Sequence, residues 1–178
     1  MAKVLFILAK NGFRDEEFLI PAEILKNNKH QIFVASNNKK GEKAVGADGT
    51  EVTIDFSLEE VNVKDYDMIV FIGGPGALEN LNNSLSYEIA RKSVENKKHL
   101  AAICISPVIL AESGVLKNKK ATVWSSPYYK QSIEILTKNG AQYLEKSVVI
   151  EDDGYLITAN GPKAAEEFGK ALLKALEE

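Results

Sequence analysis

The sequence predicts an α/β protein: a parallel sheet with helices covering both faces. Three observations lead there. Short runs such as KVLFILA, DMIVFIGG and HLAAIC are apolar at consecutive positions, which buries both faces of a strand. Longer stretches with apolar residues at helical spacing separate them, the alternation of a parallel sheet with its crossover helices. Turn-forming residues mark the boundaries. A chain of 178 residues suits one domain, read as 1–178, with a full hydrophobic core.

KVLFILA (3–9) is the first buried strand. EEFLIPAEILKNN (16–28) follows as a helix, with Phe18, Leu19, Ala22 and Leu25 near 3.6-residue spacing and Pro21 in its first turns, where a missing N–H does least harm. HQIFVAS (30–36) is the second strand. AVGADGTEVTIDFSL carries an Asp-Gly turn between short strands and reads as a small hairpin extension. DMIVFIGG (67–74) is the third strand, LSYEIARKSVENKK (85–98) a helix and HLAAIC (99–104) the fourth strand. Pro107 to Ser113 continues as helix and stops near Gly114. KATVW (120–124) is strand-like, and PYYKQSIEILTKNG (127–140) is a helix closed by Asn-Gly. SVVIEDDGYLITA (147–159) forms a hairpin over Asp-Asp-Gly, and a final helix starts at Gly161-Pro162. No repeat with a period of roughly 20–50 residues and no low-complexity tract interrupts this order.

Composition narrows the function classes. Hydrophobic residues at 45% and charged residues at 26% are ordinary for a soluble globular protein. A net charge of −3 with scattered lysines argues against nucleic-acid or acidic-membrane partners. The opening apolar run is too short for a transmembrane helix and has no signal-peptide cleavage region. A single cysteine excludes an intrachain disulfide framework and fits a reducing, cytoplasmic setting. His30, His99 and that cysteine have no metal-ligand spacing, so no metal is expected. GGPGA lacks both the phosphate-loop and the dinucleotide fingerprint, so no nucleotide cofactor is expected either.

The cysteine itself, Cys104, stands at the seam between the fourth strand and the helix beginning at Pro107. A sharp strand-to-helix turn lifts its central side chain over the sheet rim and crowds the positions two residues to either side. Ala102 and Ser106 meet that demand, giving small-x-nucleophile-x-small. An isolated cysteine in an apolar run is commonly an inert core residue; the small neighbours, the seam and the nearby glycine loop argue for reactivity. The helix start favours the thiolate. The N–H of Ile105, with one from Gly73 or Gly74, would face an oxyanion formed on a substrate. Three strands end in loops with suitable residues: KNGFRDEE, GGPGA and CISP. In a parallel sheet such loops meet at the carboxyl rim when their strands are neighbours.

A nucleophile needs a proton partner. His30 and His99 open their strands and so lie at the opposite rim, roughly 16 Å from the thiol across five extended residues. Carboxylates remain. Asp15 and Glu16 are ordinary first-turn charges that favour a helix start. Glu17, turned inward beside Phe13 and Phe18, would have a raised pKa and could share a proton with sulfur or substrate. Trp124, Tyr128 and Tyr129 are candidates for the pocket mouth or a subunit contact, as well as for plain packing.

With these residues in place the chain resembles the ThiJ/PfpI superfamily, which takes in intracellular peptidases and protein deglycases. The likeness covers nearly the whole length. It includes the opening strand, F-x-D-x-E (Phe13, Asp15, Glu17) with Pro21 four residues on, HQIFVAS, D-x-x-x-x-x-G-G-P-G from Asp67, A-I-C-x-x-P around Cys104, and Y-L-I-T-A-N-G-P from Tyr155. The resemblance implies a flavodoxin-like sheet sandwiched by helices (a class I glutamine amidotransferase-like domain) assembled as a homodimer or larger homo-oligomer. It also implies Cys104 as the reactive residue, Glu17 as its hydrogen-bond partner, and Gly74 and Ile105 as backbone positions of an anion pocket, with Asp15, Ser106, Ser126 and Trp124 as further lining. Peptidase-like members carry histidine directly after the cysteine, where this chain has Ile105. Others place one at a position that looks like Ser126, and Ser106 replaces the commoner elbow glycine. Amide hydrolysis needs a proton donor for the departing amine, so the expectation is a cofactor-free glyoxalase- or deglycase-like enzyme acting on reactive aldehydes or glycated protein. An intracellular cysteine peptidase and a non-enzymatic redox sensor remain as alternatives.

Overall fold

The computed structural model describes residues 1–177. In chain order the strands and helices are β1 (Lys3–Leu8), β2 (Asn11–Phe13), α1 (Asp15–Asn27), β3 (Gln31–Ser36), β4 (Lys43–Gly46), β5 (Glu51–Thr53), β6 (Phe56–Ser57), β7 (Met68–Phe71), α2 (Ala77–Leu81), α3 (Ser84–Glu95), β8 (His99–Ile103), α4 (Pro107–Ser113), β9 (Lys120–Ala121), α5 (Gln131–Lys138), β10 (Gln142–Tyr143), β11 (Val148–Ile150), β12 (Leu156–Ala159) and α6 (Ala165–Glu177). Seven strands form the main sheet in the order β11-β12-β8-β7-β1-β3-β6. Every neighbouring pair is parallel except the β11–β12 hairpin at one edge.

The apolar runs explain this arrangement. Val4 through Leu8 of β1 and Met68 through Phe71 of β7 are fully buried at successive positions, and successive side chains of a strand point to opposite faces. Both faces must therefore be covered, and two groups of helices do so: α1 packs on α6, while α4 packs on α3 and α5. Among the described residues no helix is long and apolar enough to cross a membrane. The three strands whose loops carry the suggestive residues, β1, β7 and β8, are immediate neighbours in parallel register. Their carboxyl ends consequently lie side by side.

The helix α1 is anchored by Phe18, whose ring meets Phe6 of β1 edge to face at 5.4 Å and Phe13 of β2 at 6.1 Å. Two details of the expected helix change. Leu19 sits at the edge of the stripe formed by Phe18, Ala22 and Leu25 and is 45% exposed. Pro21 is the seventh helical residue rather than part of the first turn, so its absent N–H would have donated to the Glu17 carbonyl. The strand read over 120–124 narrows to Lys120–Ala121, paired with β10 in a separate two-stranded sheet. The helix read over 127–140 starts only at Gln131, because Ser126 and Tyr129 exchange backbone hydrogen bonds in a tight turn.

The hairpin extension is present as antiparallel β4 and β5. Its attachment was not legible: β2 pairs in parallel with β4, making a three-stranded sheet above the carboxyl rim. The buried carboxylate of Asp15 holds its turn, with Oδ1 accepting from Asp48 N–H and Oδ2 from Thr50 N–H, both at 2.9 Å. Burial alone would raise the Asp15 pKa; hydrogen bonds from Thr50 and from the Asp48 and Thr50 amides outweigh it and leave the pKa lowered. A depressed carboxylate contributes stability above its ordinary range and loses it as pH falls through the folded value. Asp15→Asn is expected to lower unfolding stability by about 1–3 kcal/mol at pH 7, with the difference from wild type shrinking below about pH 4, as read by chemical denaturation. An equal loss at both pH values would contradict a charged anchor.

Candidate active site

Strand β8 ends at Ile103, and Cys104 follows with φ +64°, in the left-handed region that side chains other than glycine rarely occupy. Such a residue costs on the order of 1 kcal/mol or more and persists only when its surroundings hold it. Here they do. The Cys104 N–H donates to the Ala159 carbonyl at the end of β12 (2.9 Å), and its carbonyl accepts from Trp124 N–H (2.7 Å). Ala102 and Ser106, two residues to either side, are both fully buried. The Ser106 hydroxyl donates to the Ile72 carbonyl at 2.7 Å, tying the elbow to the end of β7. Ser106 thus fastens the turn from within and does not line the pocket as expected.

Glu17 comes from the first turn of α1, turned inward by the Phe18 anchor, and is fully buried. Its Oε2 accepts from Gly73 N–H at 3.0 Å. Its Oε1 has no hydrogen-bond partner, and the neighbouring Cys104 thiol lowers the pKa of the carboxyl. Gly73 explains how close these groups are: a Cβ there would lie 2.5 Å from Cys104 Cβ and 2.9 Å from Glu17 Oε2. Gly74, at φ +119°, approaches the β2 loop so closely that a Cβ would stand 2.5 Å from the Gly12 carbonyl oxygen. No larger residue fits either position.

Burial pushes the Glu17 carboxyl up to about 7, against the opposing effects of the Cys104 thiol, the Gly73 amide and the Arg14 charge. The Cys104 thiol is also raised, first by burial, then by the charge and hydrogen bond of Glu17; the amides of Gly74 and Ile105 pull it down without winning. Burial beside a carboxyl thus opposes the pull of the two amides and the short helix on the thiol. The amides of Gly74 and Ile105 lie near enough to the sulfur to lower its pKa. Gly73 does not act on it in this way, since its N–H is committed to Glu17.

A cavity of about 360 Å³ opens over the thiol. Trp124 lines it, together with Gly74 and Ile105. Asp15 is absent from the lining because it holds the hairpin turn, and Ser126 because its backbone closes the turn with Tyr129. Tyr129 lines the pocket, with its ring 5.5 Å from that of Trp124, while Tyr128 is fully exposed. Arg14 was missed. It stands in the FRDEE stretch already placed at this rim, and a cation among carboxylates there was the signal. Both histidines lie at the amino ends of their strands: His30 Nδ1 accepts from Ala2 N–H at 3.1 Å, and the His99 ring stacks on Tyr155 at 5.1 Å. Among the described residues no group of three or more His, Cys, Asp or Glu side chains is placed to hold a metal.

A raised carboxyl reverses the usual pH linkage. Folded Glu17 keeps its proton where the unfolded chain has released it, so its stability contribution is full below about pH 4.5 and is lost as pH rises through about 7. Glu17→Gln, neutral at every pH, is expected to gain roughly 2.5 kcal/mol relative to wild type between pH 5 and pH 8. Urea denaturation at both values measures this, and a constant difference would mean that the carboxyl is ionised throughout.

Comparison with known proteins gives the family. The sequence profile of the DJ-1/PfpI family matches residues 2–175. An uncharacterised protein of Methanocaldococcus jannaschii is 42% identical over 99% of this chain and 83% of its own length. A protein of Pyrococcus furiosus named deglycase PfpI is 31% identical over 98% of this chain and 99% of its own. The crystal structure of a ThiJ/PfpI domain protein from Brachyspira murdochii superposes with a TM-score of 0.90 at 26% identity, covering 98% of this chain and 96% of that one. On the profile match and the two relatives together, the chain belongs to the DJ-1/PfpI family.

Proposed function

We propose that this chain is a cysteine-dependent, cofactor-free enzyme of the glyoxalase or deglycase type, acting on reactive aldehydes or on their adducts with protein. The observation that carries the reading is the geometry of the elbow: Cys104, held at φ +64°, stands beside the fully buried Glu17, whose Oε2 accepts from Gly73 N–H at 3.0 Å. The name of the Pyrococcus furiosus relative, a deglycase, supports the same class.

The arrangement fits carbonyl addition without a free thiolate. As Cys104 sulfur bonds to the aldehyde carbon of a dicarbonyl such as methylglyoxal, its proton passes to ionised Glu17. The amides of Gly74 and Ile105 face the carbonyl oxygen as it gains charge. Glu17 then gives that proton to the neighbouring carbonyl oxygen, takes the proton of the former aldehyde carbon and delivers it to the second carbon as the oxyanion on the first becomes a carbonyl again. The result is a thioester, which water cleaves to lactate while the thiol is restored. The net change is addition of one water, with oxidation of one carbon balanced by reduction of the next, so no external electron carrier enters. A carboxyl near 7 can accept and return protons at neutral pH. Peptide cleavage is less well served, since both imidazoles are at the far rim.

Purified protein is expected to form lactate from methylglyoxal, with the rate rising through about pH 7 as Glu17 becomes available as a base. Cys104→Ser is expected to abolish the reaction, and Glu17→Gln to slow it about 100- to 10,000-fold. Lactate formation at the wild-type rate in either variant would sink the proposal.

A further inference from the structure

Arg14 lines the cavity beside Cys104 and is the only Lys or Arg among its lining residues, which include no carboxylate. Its backbone is fixed, because Arg14 N–H donates to the Gly73 carbonyl at 2.9 Å, next to the loop that directs Gly74 at the sulfur. Its charge is felt at the reacting groups, lowering the Glu17 pKa. Yet the guanidinium is barely engaged. Among the described residues it forms no hydrogen bond, and its one ion pair is with Asp48 at 3.8 Å, beyond hydrogen-bond length. Asp48 is 63% exposed and stands on the hairpin turn, so this pair is weak and readily exchanged. The remaining wall is largely apolar, from Pro75, Leu78, Trp124 and Pro162, which strengthens a charge interaction made within it.

We infer that Arg14 is a specificity-determining residue that binds the anionic end of the substrate, so that the preferred carbonyl compounds carry a carboxylate or phosphate while their aldehyde faces Cys104. Guanidinium offers several N–H donors in a fork that matches either anion with two parallel hydrogen bonds. Neutral methylglyoxal would react at the thiol and leave that fork unused. Asp48 occupies the same cation in the empty pocket and is displaced when the anion enters. The inference deepens the proposed function and names the substrate class of the same site.

The test compares alkylation of Cys104 by iodoacetate and by iodoacetamide, reagents alike in leaving group and different in charge. In each case sulfur bonds to carbon and iodide leaves. Both rates share the same ionisation of Cys104 and Glu17, so their ratio reports the pocket's preference for an anion. Arg14→Gln is expected to lower the iodoacetate-to-iodoacetamide ratio about tenfold or more, the scale of a charge-assisted hydrogen bond. Arg14→Lys is expected to keep the ratio within about threefold of wild type, since the charge remains, and Asp48→Asn to raise it. A ratio unchanged within about twofold in Arg14→Gln, or lowered in Asp48→Asn, overturns the assignment. A second arm asks whether glyoxylate or inorganic phosphate protects Cys104 from iodoacetamide. Protection lost in Arg14→Gln identifies the anion accepted; equal protection in both proteins, or none, overturns the assignment. Alkylation needs no turnover, so failure of the methylglyoxal reaction and failure of this inference are read separately.

Discussion

The hydrogen bond from Gly73 N–H to Glu17 Oε2 joins three parts of the chain in one buried contact: the first turn of α1, the loop after β7 and the elbow after β8. Each part depends on the others. Without the amide, the buried carboxyl would lose its one conventional donor. Without the carboxyl, the amide would be unpaired in the interior, a cost of about 1–3 kcal/mol. Without a glycine at 73, Cys104 and Glu17 would not fit beside each other. The site's acid-base character follows from this contact, because burying a carboxyl with so few donors is what raises its pKa.

The same region stores strain and holds it. A left-handed cysteine is unfavourable by itself, and here the ends of β12 and the segment at Trp124 clamp it through its own amide and carbonyl. Ser106 adds a third tie, to the end of β7. The thiol is consequently placed by strand ends on both sides of it, beside the carboxyl. In the proposed reaction, positioning of this kind lets the thiol hand its proton to Glu17 as its bond to carbon forms. The opposite rim, where the two histidines bond to backbone or stack on Tyr155, is electrostatically separate from this chemistry.

Much of the site was legible because its constraints are local. Small residues at 102 and 106, a cysteine at a strand-helix seam and a proline opening the next helix record the steric demands of one tight turn. Glu17 was legible because Phe13 and Phe18 beside it mark the inward face of α1. The misreadings have a common cause. Asp15 was taken for pocket lining and instead holds the amides of Asp48 and Thr50, more than thirty residues on. Ser106 and Gly73 direct their donors to Ile72 and Glu17, partners chosen by packing. Arg14 enters the pocket because its backbone is tied to the loop after β7, a contact that no spacing encodes.

The sequence by itself determined the alternation of buried strands and amphipathic helices and the elbow around Cys104, since these rest on periodicity or on sterics within a few residues; the family was legible through motifs that resemble it along nearly the whole chain. Only the tertiary structure decided the burial of the thiol beside Glu17, the commitment of the Gly73 N–H to that carboxyl and the placing of Arg14 at the cavity. Those depend on desolvation and on distances between segments far apart in the chain. Burial is a property of the assembled core, and it overrode the local helix and amide effects that the residues around Cys104 pointed to.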